Sequence, residues 1–176
     1  MAPAPAVLKS VKRQSVTLEL GLSLAAPRAG IPSKASFQSW AQAAFDALNP
    51  DNFAALVGLS VRLIGLDEGR ALNLQYRGRD YATNVLSFPS DVPAGMPKNF
   101  KRDWLGDLVV CAPVIAREAI EQQKPLRDHH AQMCVHGVLH LLGLDHLKAA
   151  QAKRMEALEV QILARFGIAD PYKTKS

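Results

Sequence analysis

HGVLHLLGLDH, His136 to His146, is the stretch from which the rest of the 176-residue chain can be read. Its histidines stand at i, i+4 and i+10, with Gly143 between the second and the third. Residues four apart on an α-helix project from one face, so His136 and His140 point both imidazoles at one site. The next helical turn cannot place a third ring there. Gly143 can bring one in, by taking the left-handed conformation that ends a helix and turns the chain back toward His146. Met133 to Leu142 is apolar on nearly every face, which sends this helix through a core and predicts that His136 and His140 are largely buried.

Three convergent imidazoles are a ligand set. Each ring nitrogen reaches a zinc ion at ~2 Å, and three protein ligands leave a fourth position for water, the arrangement of a catalytic site and not a structural one. One zinc ion per chain is therefore expected, held by His136, His140 and His146. The same spacing occurs in the zinc-protease pattern H-E-x-x-H-x-x-G-x-x-H, except that Gly137 stands where the protease carries its general-base glutamate. Zinc lowers the pKa of bound water from ~15.7 to ~7, so the missing carboxylate does not forbid hydrolysis. A peptide bond also needs a proton delivered to a poor amine leaving group; a phosphodiester chiefly needs an activated nucleophile and an offset negative charge. Glycine inside a helix costs ~1 kcal/mol relative to alanine. Its presence at 137 is explained either by close packing of another backbone or by a phosphate passing nearby. Asp145 either accepts a hydrogen bond from a ligand imidazole or faces solvent. His129, seven residues before His136, is expected at the surface.

Outward from this helix, the elements alternate. VTLEL around Thr17 reads as a half-exposed strand, and Ser33 to Leu48 spaces Phe37, Trp40, Ala41, Ala44, Phe45 and Leu48 as an amphipathic helix that stops at Asn49-Pro50. GLSVRLIGL is a strand, DEGRALNLQYR a short helix with acids in its first turn, and NVLSFP and LGDLVVCA two further strands. SDVPAGMPKNFKRDW between them reads as a long exposed loop. The last third is helical. The fold class is α/β: one domain over residues 15–176, a small mixed sheet of about four strands covered by helices, with the zinc site on a buried C-terminal helix in a zincin-like arrangement. Residues 1–14 are expected to be a mobile tail.

Composition agrees with an ordinary globular protein, 48% hydrophobic and 21% charged, with no apolar run long enough to span a bilayer. Cys111 and Cys134 have no disulfide-like spacing and are expected to be buried thiols in a cytoplasmic protein. The net charge of +5 permits a polyanionic partner without requiring one. Between Arg62 and Arg102 there are seven Lys/Arg against four Asp/Glu, a basic stretch.

LNLQYRGRDYATNVLSFP (Leu72–Pro89), LGDLVV (Leu105–Val110), HGVLHLLGLDH, MEALE (Met155–Glu159) and DPY (Asp170–Tyr172) together resemble the YbeY-type rRNA maturation endoribonucleases. The resemblance covers most of the chain after residue 60 and includes the glycine at 137. Ala82 departs from it, standing where many relatives have proline. The resemblance implies one zinc on the three histidines, a catalytic or substrate-binding arginine at Arg77, and cleavage of single-stranded ribosomal RNA, including maturation of the 16S rRNA 3′ end and ribosome quality control. Expected partners are rRNA and the small ribosomal subunit, with a small-subunit ribosomal protein or an assembly GTPase; neither membrane nor DNA is expected. Arg77 closes the LNLQY helix, where a guanidinium offers bidentate hydrogen bonds to phosphate oxygens. Asn84 and Ser87 are either turn and strand polar groups or substrate contacts. Two other readings stand beside this one: a zinc peptidase, and a non-catalytic ribosome-assembly factor that uses zinc to fold.

Overall fold

Alternation of apolar and polar residues in TLELGLSL makes Thr17–Leu24 a strand, β1, which buries Leu18 and Leu20 and turns Thr17 and Glu19 outward. In the computed structural model, which describes residues 14–173, eight further elements follow it. Helix α1 (Lys34–Leu48) starts at Ser33, whose hydroxyl accepts the Ser36 N–H, and buries Phe37, Trp40, Ala41, Ala44 and Phe45. Then come β2 (Phe53–Ile64), α2 (Leu66–Arg77), β3 (Val85–Pro89), β4 (Arg102–Cys111), α3 (Ala112–Glu121), α4 (Leu126–Leu141) and α5 (Ala149–Ala164).

The four strands form one sheet in the order β1-β2-β4-β3. β1, β2 and β4 run parallel, and β3 is an antiparallel edge strand on β4, with Val85 opposite Val110 and Pro89 opposite Gly106. This is the mixed four-strand sheet expected. β4 sends Leu108 and Val110 into the main core, beneath α1, α4 and α5, and Val109 and Cys111 into a smaller cluster with Leu72 of α2. The edge of β1 is covered by α1: Gln42 accepts the Leu18 N–H, and Gln38 accepts the Leu20 N–H while donating to the Leu18 carbonyl.

Two boundaries move. β2 begins at Phe53 rather than Gly58, because Phe53 and Val57 are core residues and the chain absorbs a register shift between Phe53 and Gly58 against β4. The long loop is present from Ser90 to Lys101, but Arg102, Asp103 and Trp104 already belong to β4. Both cysteines are free and buried, and burial pushes the Cys134 thiol up to about 12. The expected N-terminal tail lies, save for its last residue, outside the described residues.

Candidate metal centre

α4 buries most of its residues, as its apolar circumference predicts, and opens one stripe to a cleft beside the edge strand β3. His136 and His140 lie on that stripe and are half-buried, not largely buried as expected. β3 is the edge strand of the sheet, and the face of α4 next to it borders the cleft instead of packed core. After α4, Gly143 takes φ +94° and its N–H bonds the His140 carbonyl at 2.9 Å, which folds the chain back and brings His146 over His140. Ring centroids are 4.6 Å apart for His136–His140 and 4.9 Å for His140–His146. One nitrogen from each of the three lies within 4.8 Å of the other two.

These residues fit a metal ion. His146 Nδ1 and His140 Nε2 approach to 3.0 Å, and His136 directs its Nδ1 away from the cluster, to Glu159 Oε1 at 2.6 Å. Burial, with His136 and His146 beside it, pushes the His140 imidazole down to about 4, so this ring is an unprotonated donor at neutral pH.

Glu159 was not singled out from the sequence. It is fully buried on α5, and its second oxygen accepts the Tyr172 hydroxyl. Burial and the adjacent carboxylate raise the Tyr172 pKa well above its ordinary value. The signal lay in the periodicity: Glu159 is four residues after Met155 and three before Ile162, on the core face of α5, where an unpaired carboxylate would be very costly. A carboxylate accepting the far N–H of a ligand imidazole fixes its tautomer and orientation. Glu159→Gln is therefore expected to lower affinity for a divalent metal by roughly 10- to 100-fold in competition with a chelator, and Tyr172→Phe by less. Unchanged affinity in Glu159→Gln would remove this role.

The three histidines share a cleft of about 270 Å³ with Arg77, Asn84 and Ser87. Arg77 is exposed at the end of α2. Asn84 is committed to structure: its Oδ1 accepts the Val85 N–H at 2.7 Å, and its Nδ2 donates to both Glu118 oxygens at 3.2 Å. Ser87 Oγ lies 3.4 Å from the Gly137 carbonyl, a long contact that ties β3 to α4. Asp145 caps the turn, accepting the His146 N–H at 2.7 Å; at 4.0 Å from His146 Nδ1 it makes no hydrogen bond to that ring.

His129 is not at the surface. It is 1% exposed, with Nε2 2.7 Å from Glu118 and Nδ1 3.3 Å from Gln132. Burial raises the Glu118 pKa, but hydrogen bonds from His129 and Asn84 more than offset it and hold the carboxyl below its usual range. Gly137 also has a definite reason. A Cβ there would stand 2.8 Å from Cδ2 and 3.2 Å from Cδ1 of Leu108, so the glycine lets α4 settle onto β4. Its missing side chain faces the core, which overturns the idea that it leaves room for a passing phosphate.

Residues 27–167 match the family described as endoribonuclease YbeY. The chain is 53% identical over 160 residues to endoribonuclease YbeY of Stenotrophomonas maltophilia, covering 91% of this chain and 96% of that one. It is 52% identical over 157 residues to the protein of the same name from Xanthomonas campestris pv. campestris, covering 89% and 94%. A solution structure from Thermotoga maritima has the same fold, with a TM-score of 0.51 and 21% identity over 88% of this chain and 99% of that one.

Proposed function

Because the chain belongs to the endoribonuclease YbeY family, we propose that its three-histidine centre holds one zinc ion and cuts single-stranded ribosomal RNA. RNA cleavage and a role in rRNA processing follow from the family; the metal, the strand preference and the target, the 3′ end of 16S rRNA, are the finer reading. The observation that carries it is the convergence of three imidazoles and Arg77 on one cleft. Three nitrogen donors with an open fourth position suit zinc, which when bound supplies an activated water and positive charge to offset that of the phosphate.

The chain's own groups do the rest. Glu159 accepts the Nδ1–H hydrogen bond of His136 and so leaves the other ring nitrogen for the metal. The Arg77 guanidinium offers two parallel N–H donors to the non-bridging phosphate oxygens and stabilises the extra charge that accumulates on them. No carboxylate lines the cleft among the described residues, and the half-exposed Asp145, 4.0 Å from His146 Nδ1, is the acid beside it, so like-charge repulsion of an entering phosphodiester is small. The same lack disfavours the peptidase reading, which needs an acid to protonate the amine.

Partners in this reading are the small ribosomal subunit, with a ribosomal protein or assembly GTPase to direct the cut, and the compartment is the cytoplasm. Two free buried thiols are consistent with a reducing environment, and no helix among the described residues is long and apolar enough to cross a membrane. Arg77→Glu tests the assignment. Its side chain is exposed and outside the ligand set, so fold and metal content should stay at parental levels while cleavage of a single-stranded RNA falls by ~100-fold or more. Loss of the metal in this variant, or parental cleavage, would contradict the role given to Arg77.

A further inference from the structure

We propose that the end of α2 and the turn after it, Tyr76 to Tyr81, form a track on which single-stranded RNA stacks its bases and seats its backbone as it enters the metal cleft. This rests on the reading of the cleft as an endoribonuclease site. Within six residues the chain interleaves two aromatic rings with two arginines, Tyr76-Arg77-Gly78-Arg79-Asp80-Tyr81. Tyr76 is 57% exposed and Tyr81 52%, large rings left in water at the end of α2 and in the turn after it.

Neither ring hangs loose. Tyr76 meets Phe88 of β3 edge to face, with centroids 4.9 Å apart, which leaves much of the ring open to solvent. Tyr81 is held at both ends: its hydroxyl accepts from Arg79 Nη1 at 3.0 Å, and its backbone carbonyl accepts from the buried Asn73 amide at 2.6 Å. Rings fixed before binding lose little freedom when a base settles on them.

Charge is sorted along the same segment. Arg70 is neutralised by Asp80 through two hydrogen bonds of 2.6 and 2.8 Å, and Arg62 pairs with Glu68. Arg77 and Arg79 have no carboxylate within ion-pairing distance among the described residues, and Arg77 lines the metal cleft itself. Positive charge is therefore kept where a phosphate would approach the histidines and cancelled about two turns further back on α2, at Arg70, and on β2, at Arg62.

Aromatic rings alternating with arginines suit a single strand, whose unstacked bases offer faces to the rings while phosphates meet the guanidinium groups. Duplex bases are already stacked on each other. The track thus gives strand selectivity a physical source outside the metal centre.

The test reads binding separately from cutting, by fluorescence anisotropy of the metal-loaded protein with a short labelled RNA, using only readings taken before the strand is cut. The probes are an intact single strand, the same strand with abasic riboses, and a duplex. The parent should bind the intact strand tightest. Tyr76→Ala with Tyr81→Ala should weaken the intact strand by roughly five- to 100-fold per ring, leave the abasic strand almost unaffected, and bind the two alike. Tyr76→Phe should keep parental binding, which separates ring stacking from loss of structure. Arg79→Gln should instead reduce the slope of log affinity against log salt by ~0.7. If the parent binds intact and abasic strands equally, or if the double alanine variant keeps parental affinity and strand preference, the track does not exist. A parent that shows the stacking signature but never cuts RNA would leave the track standing and overturn the reading of the cleft.

Discussion

A chain carrying His140→Ala is expected to purify without tightly held metal and to leave single-stranded RNA uncut, while its fold remains intact. His140 is the middle donor, 3.0 Å from His146 and 4.6 Å ring to ring from His136, so its loss separates the two that remain. Two imidazoles hold a metal weakly and do not orient it. A catalytic metal supplies several kcal/mol of transition-state stabilisation, so cleavage should fall by about three orders of magnitude or more. The side chain is only half-buried and faces the cleft, so little core packing goes with it. His136→Ala and His146→Ala should behave alike in metal content and cleavage. A histidine whose replacement leaves stoichiometric metal and full activity is not a ligand.

Gly137→Glu is expected to prevent folding, and Gly137→Ala to cost at most ~2 kcal/mol. Alanine's Cβ meets the side-chain end of Leu108, which is fully buried and can yield only by repacking. Overpacking of this kind costs ~1–3 kcal/mol, and replacing glycine inside a helix returns about 1. Glutamate adds a carboxylate driven between α4 and β4 with no partner there, at several kcal/mol more, a large part of the ~5–15 kcal/mol by which domains are stable. Thermal midpoints of the two variants separate these cases. A Gly137→Glu chain that folds with a parental midpoint would show that packing against Leu108 is not what keeps the position small.

The convergence of His136, His140 and His146 into a group that could hold a metal was legible because its geometry is local: an i, i+4 pair and a glycine turn are written within eleven residues. Apolar alternation made β1 and β2 legible, β3 and β4 were read as short apolar runs, and Arg77 took its importance from the resemblance, which the cleft it lines now accompanies with geometry. What escaped depends on packing between distant elements. Glu159 reaches His136 across 23 residues because α5 lies against α4, and Tyr172 joins them from beyond α5. His129 looks like a surface residue at its helical position until α3 brings Glu118 beside it. A helix apolar all round gives no hint of which stripe will be left open. That was decided by β3 standing at the edge of the sheet.

Metal content and RNA cleavage, measured on one preparation before chelation, after chelation and after zinc is returned, test the central claim most directly. The expected result is about one zinc per chain, a single-stranded RNA cut while its duplex is spared, cleavage abolished by chelation and restored by zinc. A chelated protein, shown to be folded and free of metal, that still cuts the single strand at the parental rate would contradict it.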